Sequence, residues 1–551
     1  MENLVKAYED KIVTDIMSEF AYLSNERSTF ETLWQEVAEY VMPDMSNTFT
    51  DGWARSAGQK NTEKQIDSTA ALALSRFGAI LDSLLTPRNN FWHGLEANDE
   101  KLNTNRNVKL WFEDTTKRLF KARYAPTANF SSQNQMVFKQ LGAFGTASMF
   151  IDRYIGNDGT KGLRYKALPL GEVYIKENHQ GQVDGFVRVF YLTARQAYQK
   201  FGEKIPDTIR GKLSVAPEQK FKFLHCVKPR SDWEPGQAGV KGKLYGSYYV
   251  AQDGMKLVQE GGYNTFPLPT TRYEQYPGEI YGRGPGTLVL PAIKTLNATK
   301  RIMLKQGHRS VDPVILTHDD GVAGFSQRPG ALNPGMVTAD GKPLAHVLPV
   351  GNIAVGKDLM DDERAVINDV FLVRLFQVLL EDPKVLTATQ VVEMANEKGI
   401  LLAPTIGGQQ SGYLGPTIDR ELDVLSDLGM LLPMPPELVE ARGEYHVTYT
   451  SPFSKAARSQ EVSGLLRTIE GVLEVVNVTQ NPEPLDHFNW DTIVPEMADI
   501  QAVPTRWMNG SDVVMAKRQQ RAQQQQQQND IQAAPGAAAI MKAQAAVQGK
   551  K

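Results

Sequence analysis

The stretch Tyr281–Ser310, YGRGPGTLVLPAIKTLNATKRIMLKQGHRS, packs three glycines into its first six residues. The whole stretch carries six Lys or Arg, five of them after the glycines, and no Asp or Glu. A glycine-rich turn running into a basic helix has the outline of a phosphate loop, so its reading decides what kind of protein this is. The third glycine of a G-x-G-x-x-G fingerprint would fall at position 287, which is Thr, and Pro285 removes an amide that an anion would need. The glycines Gly282, Gly284 and Gly286 therefore read as a turn made of residues free to take positive φ. Pro291 sits near the first turn of the helix, where proline is tolerated, and the helix is expected over 287–306. At about 100° per residue, Lys294, Arg301 and Lys305 fall on one stripe. Val289, Ile293, Leu296 and Met303 fall nearly opposite. One face is packed and the other is cationic.

Upstream of this junction the chain changes period twice. Ser28–Val41 reads as a helix opening with a capping box, Ser28 and Glu31, and stopping at Met42-Pro43. Ser68–Leu85 has helical apolar spacing and stops at Thr86-Pro87. A third helix fits 132–146. From 147 to 275 the period moves to two, in MFIDRY, GEVYIKEN, VDGFVRVFYL, FKFLHCVKP, KLYGSYYVAQDG and MKLVQEGGY, with turn signals at Asn157-Asp158-Gly159 and Asp253-Gly254. Leu192–Phe201 interrupts these as one helix. The fold class expected is α+β, with an antiparallel sheet.

Downstream, 307–356 is rich in Gly and Pro, with strands expected near 313–318, 331–337 and 344–350. Helices are expected at 358–380, 387–398, 417–429, 454–477 and 491–502, and a strand at 444–450. The tail from Lys517, KRQQRAQQQQQQND and then Ala-rich sequence, is of low complexity.

Composition narrows the function classes. The chain has 551 residues, 41% hydrophobic and 22% charged, as in globular domains. Its net charge of −3 creates no global field toward nucleic acid, so any such binding must be local. Cys226 is the only cysteine, which leaves no intrachain disulfide and no thiolate metal site. The first twenty residues lack the apolar core of a signal peptide, and VFLVRLFQVLL (370–380) is too short to span a bilayer. The eight histidines include no H-E-x-x-H. GMVTADGKP (335–343) has one residue too many for a phosphate loop, and no G-x-S-x-G elbow occurs. His225 beside Cys226 invites a nucleophile reading, but neighbours on a strand point to opposite faces. No catalytic residue, metal or cofactor is expected. What survives is the basic helix, a surface for phosphate contact without base reading; no aromatics interleave to suggest stacking on single strands.

The order of these parts resembles the portal (head-to-tail connector) proteins of short-tailed, double-stranded DNA bacteriophages. The likeness rests on FETLWQEVAEYVMP (30–43), ALALSRFGAILDSLLTPRNNFWHGLE (71–96), FKQLGAFGTASMFID (138–152), the Tyr281-Gly282-Arg283-Gly284 turn, TATQVVEMANEKG (387–399) and the glutamine-rich tail. It implies a wing over 1–286, stem helices at 287–306 and 357–380, and a clip over 307–356 between them. A tunnel loop (381–386) and a long broken helix follow within 381–450, then a helical crown over 451–515 and a flexible tail over 516–551. It also implies a structural, non-enzymatic role in a twelve-fold ring at one capsid vertex of the virion, assembled in the host cytoplasm. Double-stranded DNA would enter through it, driven by a separate terminase, be retained, and leave into the tail. Implied partners are other copies of the chain, the terminase large subunit, a tail adaptor, capsid and scaffolding proteins, and internal core proteins at the crown, with no membrane. On this reading Lys294, Lys300, Arg301, Lys305 and Arg309 are channel or inter-subunit charges, Lys384 is a tunnel-loop contact to DNA, and Gly282, Gly284 and Gly286 form a hinge. The rival readings are a tail or adaptor ring component, and a nucleotide-dependent nucleic-acid enzyme.

Overall fold

A computed structural model describes residues 2–46, 48–49, 58, 60–317, 326–349, 353–374, 403–441, 443–449, 452–480, 483–500, 503, 505–510 and 513–526. The chain divides into two compact units, Met1–Asn90 with Leu119–Met430, and Phe91–Arg118 with Leu431–Lys551. Both mix helix and sheet, as the α+β expectation required.

The larger unit begins with α1 (Glu2–Val41), a single helix of 40 residues. No helix starts at Ser28: its hydroxyl donates to the Asn25 carbonyl within the helix, and Glu31 accepts from Arg27 instead of capping. The capping-box reading fails because Arg27 is buried and claims that carboxylate. Val13, Ile16 and Leu23 of α1 cover one face of an antiparallel five-stranded sheet, made of β4 (Val173–Glu177), β5 (Val183–Thr193), β6 (Lys220–Pro229), β7 (Tyr245–Ala251) and β8 (Lys256–Tyr263). The strands pair in sequence order, each hairpin zipping onto the previous strand. The opposite face is covered by α6 (Ala194–Phe201), where Phe190, Phe201, Phe223 and Tyr249 pack together. A capping box, Thr193 with Gln196, starts α6 directly at the end of β5.

Strand alternation puts Cys226 among the α1-facing residues and His225 on the other face, stacked on Tyr249 at 4.0 Å. Burial pushes the Cys226 thiol up to about 12 and holds His225 neutral, well below the usual imidazole range. Neither is a nucleophile–base pair.

A second layer joins α2 (Thr69–Leu85) and α5 (Phe130–Phe144) to a three-stranded sheet. That sheet orders β3 (Lys161–Leu168), β2 (Thr146–Ile155) and β9 (Thr270–Arg272). Gly159, at φ 79°, closes the β2–β3 hairpin where the Asn-Asp-Gly signal lies. Along α2, Leu74, Phe77 and Leu81 are buried at helical spacing, while Leu72 is exposed. After a turn of helix α8 (Pro285–Leu288), α9 runs over Leu290–Val311, five residues past the expected end. Between it and α10 (Ile353–Val370) lie β10 (Ile315–Thr317) and β11 (Ala345–Val347), paired antiparallel. The strand expected at 331–337 is absent; only an isolated bridge, Val337 to Pro343, forms there. Leu372, at φ 61°, follows the end of α10. The tunnel loop with Lys384 and the helix at 387–398 lie outside the described residues. A five-residue π-helical turn, Gln410–Leu414, then leads into α11 (Gly415–Asp427).

The smaller unit holds β1 (His93–Ala97) paired with β12 (Tyr445–Tyr449). Its helices are α3 (Glu100–Thr104), the first part of α4 (Arg106–Arg123), α12 (Pro436–Glu440), α13 (Pro452–Thr479) and α14 (Trp490–Ile500). The Trp111 indole donates to the Leu432 carbonyl at 3.2 Å, fixing α4 to the return segment.

Candidate nucleic-acid interface

The glycine turn proves to be a packed corner. Gly282, Gly284 and Gly286 all avoid positive φ; Gly284 lies at φ −110°, ψ 173°. The expectation of left-handed residues is corrected, and the reason for glycine is close approach. A Cβ on Gly284 would stand 2.6 Å from the Leu141 carbonyl and 2.7 Å from the Gly145 nitrogen. One on Gly282 would stand 2.6 Å from the Gly145 carbonyl, and one on Gly286 would stand 2.7 Å from that of Ala143. The chain crosses directly over the end of α5, where Gly145 itself sits at φ 78°. Tyr281 anchors the corner: it is buried, packs on Trp34 at 5.0 Å, and its hydroxyl accepts from the Ile175 amide at 3.2 Å. The hinge expected here is thus wedged between backbone segments.

Beyond the corner, the first half of α9 is bound into the body. Ile293 and Leu296 are buried as the stripe argument required, and so is Asn297. The Asn297 side-chain oxygen accepts from the amides of Ile66 (2.7 Å) and Asp67 (2.9 Å). Its amide group donates to the Ile293 carbonyl at 2.8 Å. One turn on, Lys300 donates to Asp67 at 2.9 Å, and Arg364 of α10 reaches the same carboxylate oxygen, also at 2.9 Å. Burial alone would raise this carboxyl. The hydrogen bonds from Thr69, Arg364 and Lys300 outweigh burial and hold it far below the usual carboxylate range. Lys294 pairs with Glu36 of α1. Two of the five helix cations are therefore engaged within the chain.

The second half of α9 differs. Arg301, Lys305 and Arg309 are exposed and have no ion-pair partner among the described residues. Ile302 is 65% exposed and Leu304 51% exposed, so the packed face reaches no further than Met303, the last of its expected positions. Met303 itself lies against Gly356 of α10, where a Cβ would come within 3.1 Å of its methyl carbon. Sequence reading missed Asp67, Asn297 and Arg364. Asp67 had a local signal, since Asp-Ser-Thr before an apolar helix is capping chemistry; its two cationic partners come from 233 and 297 residues away.

The Asp67 node yields a measurable expectation. Asp67→Asn removes the charge that Lys300 and Arg364 share and lowers stability by about 2 kcal/mol at neutral pH, read by urea denaturation. Because the folded pKa is depressed, this contribution is complete above the unfolded value of about 4 and fades as pH falls below it. The variant therefore loses less stability than the parent on acidification through that window, and an unchanged acid limb refutes the assignment.

No group of three or more His, Cys, Asp or Glu able to hold a metal occurs among the described residues. Residues 13–508 match the family described as bacteriophage head to tail connecting protein. The chain is 25% identical to the "Portal protein" of Salmonella phage epsilon15 over 550 residues, covering 97% of this chain and 94% of that protein. It is 26% identical to the "Probable portal protein" of Bordetella phage BPP-1, over 92% of this chain and 90% of that one. With the match running from α1 through the corner, the basic helix and the smaller unit, the chain belongs to the bacteriophage head-to-tail connecting protein family.

Proposed function

We propose that the chain is the structural, non-enzymatic subunit of a phage portal, a ring through which double-stranded DNA is packaged, retained and ejected. The carrying observation is the end-to-end likeness to two portal proteins, with no large segment unmatched in either direction. Supporting it is the excursion between α9 and α10, two short strands held at the far end of two packed helices. On this reading those helices are the stem, the excursion is the clip, and the sheets and helices before residue 287 are the wing. The helices after 451 are the crown, and Lys384 belongs to a tunnel loop. A ring repeats each subunit's charge around an axis, and a passage that makes only weak phosphate contacts, without base reading, allows DNA to slide. The partners that follow are a separate terminase, a tail adaptor, and capsid and scaffolding proteins.

Electron-microscopic class averages of the purified full chain test this. Closed rings with a central opening are expected; a population of monomers and open chains alone would sink the reading.

A further inference from the structure

The helix pair α9–α10 carries opposite charge on its two outer edges. The helices are antiparallel, because Lys300 and Arg364 meet on Asp67 while Met303, further along α9, meets Gly356, earlier on α10. At 100° per residue, Arg301, Lys305 and Arg309 follow one another at i, i+4 and i+8, on the side of α9 turned away from Met303 and α10. On α10, Met360 and Ile367 are buried on the inner side. Asp358, Asp362 and Asp369 project from the side opposite to these, all exposed. Asp369 meets Arg374 at 3.1 Å; Asp358 and Asp362 have no ion-pair partner among the described residues. Apolar surface flanks both edges, Ile302 beside the cations and Val355, Leu359 and Val366 beside the acids, each about half exposed or more. The Asp67 and Gly356 contacts set the levels, so Arg301 and Lys305 stand about as high along the pair as Asp362 and Asp358.

We propose that Arg301, Lys305 and Arg309 of one copy dock on Asp358 and Asp362 of a second copy of this chain, head to tail. The inference rests on the ring reading above and directs the basic stripe at a neighbouring subunit rather than at DNA. Charge complementarity selects the geometry. A two-fold contact through either edge would bring like charges together, whereas a head-to-tail contact pairs cation with carboxylate and can close into a ring. Matching levels require no shift along the axis, the condition for closure. The exposed apolar residues supply the area that ion pairs alone lack, since exposed pairs are individually weak.

The test uses charge reversal on the full chain, with ring population read by native mass spectrometry and microscopy, and folding checked by circular dichroism. R301E/K305E and D358K/D362K each cut the ring population by about tenfold at low salt. The fourfold variant restores it, and an equimolar mixture of the two double variants assembles with alternating copies. A second readout needs no mutation: wild-type ring assembly weakens between about 0.05 M and 1 M salt, as screening of exposed charge requires. The proposal is overturned if folded double variants assemble like the parent, or if the fourfold variant fails to assemble. Normal rings that bind DNA less well would assign the stripe to DNA instead. A parent that forms no rings at all would refute the ring reading itself, a distinct outcome.

Discussion

Glu421→Ala destabilises the larger unit by about 3–5 kcal/mol, the cost of leaving a buried charge without its partner. Arg123, at the end of α4, and Glu421, on α11, are both 0% exposed and bond through two parallel contacts, 2.9 and 2.5 Å. The Tyr165 hydroxyl of β3 donates to the same carboxylate at 2.6 Å. Removing the carboxylate strands a guanidinium that no solvent reaches and also deprives the phenol of its acceptor. The arginine is held firmly charged: burial works against the charge, but Glu421 overrides it. The measurement is the urea midpoint of the single variant against the apolar double variant Arg123→Met, Glu421→Leu. The double variant should recover much of the loss, because two well-packed apolar chains bury no charge. A single-variant loss under about 1 kcal/mol would contradict the burial argument.

Arg27→Met has a comparable effect, about 3 kcal/mol or more, for a different reason. The Arg27 guanidinium donates to three backbone carbonyls, Leu170 (3.0 Å), Gly171 (3.0 Å) and Val173 (2.7 Å), and to Glu31. It also lies 3.5 Å from the ring centre of Tyr174. Those carbonyls belong to the turn that launches β4, so losing the donor removes charge-assisted bonds from three acceptors at the edge of the main sheet, of which the Leu170 carbonyl still accepts from the Val173 amide. Arg27→Lys recovers little, since one ammonium cannot reproduce a planar fork aimed at several acceptors. Amide hydrogen exchange at Val173–Glu177 reads the result: faster exchange in β4 with the rest of the sheet still protected is expected, and unchanged protection there contradicts the role.

Much of the fold was legible because it is local. The strands β4 to β8 pair in chain order, each with its neighbour across a short connection or a single helical excursion, so alternation and turn signals located them. The helices at 69–85, 130–144 and 290–311 carried apolar spacing that the core confirms. Three features were not legible. β1 pairs with β12 from a stretch some 350 residues away, and HGLEA has no pattern of its own to announce a strand. The break expected at Ser28 vanished because Arg27 binds a turn more than 140 residues later and takes Glu31 with it. The glycines at 282–286 looked like a conformational device and are a steric one, which only the adjacent end of α5 reveals.

The sequence by itself determined the hairpin order, the helical periods and the gathering of cations on one helix, since each depends on residues near one another in the chain. Only the tertiary structure decided what those cations do. Glu36 and Asp67, distant in sequence, neutralise Lys294 and Lys300 within the chain, while Arg301, Lys305 and Arg309 are exposed and meet no ion-pair partner among the described residues. A charge is spent or available according to what folding brings beside it, and spacing along a helix carries no record of that.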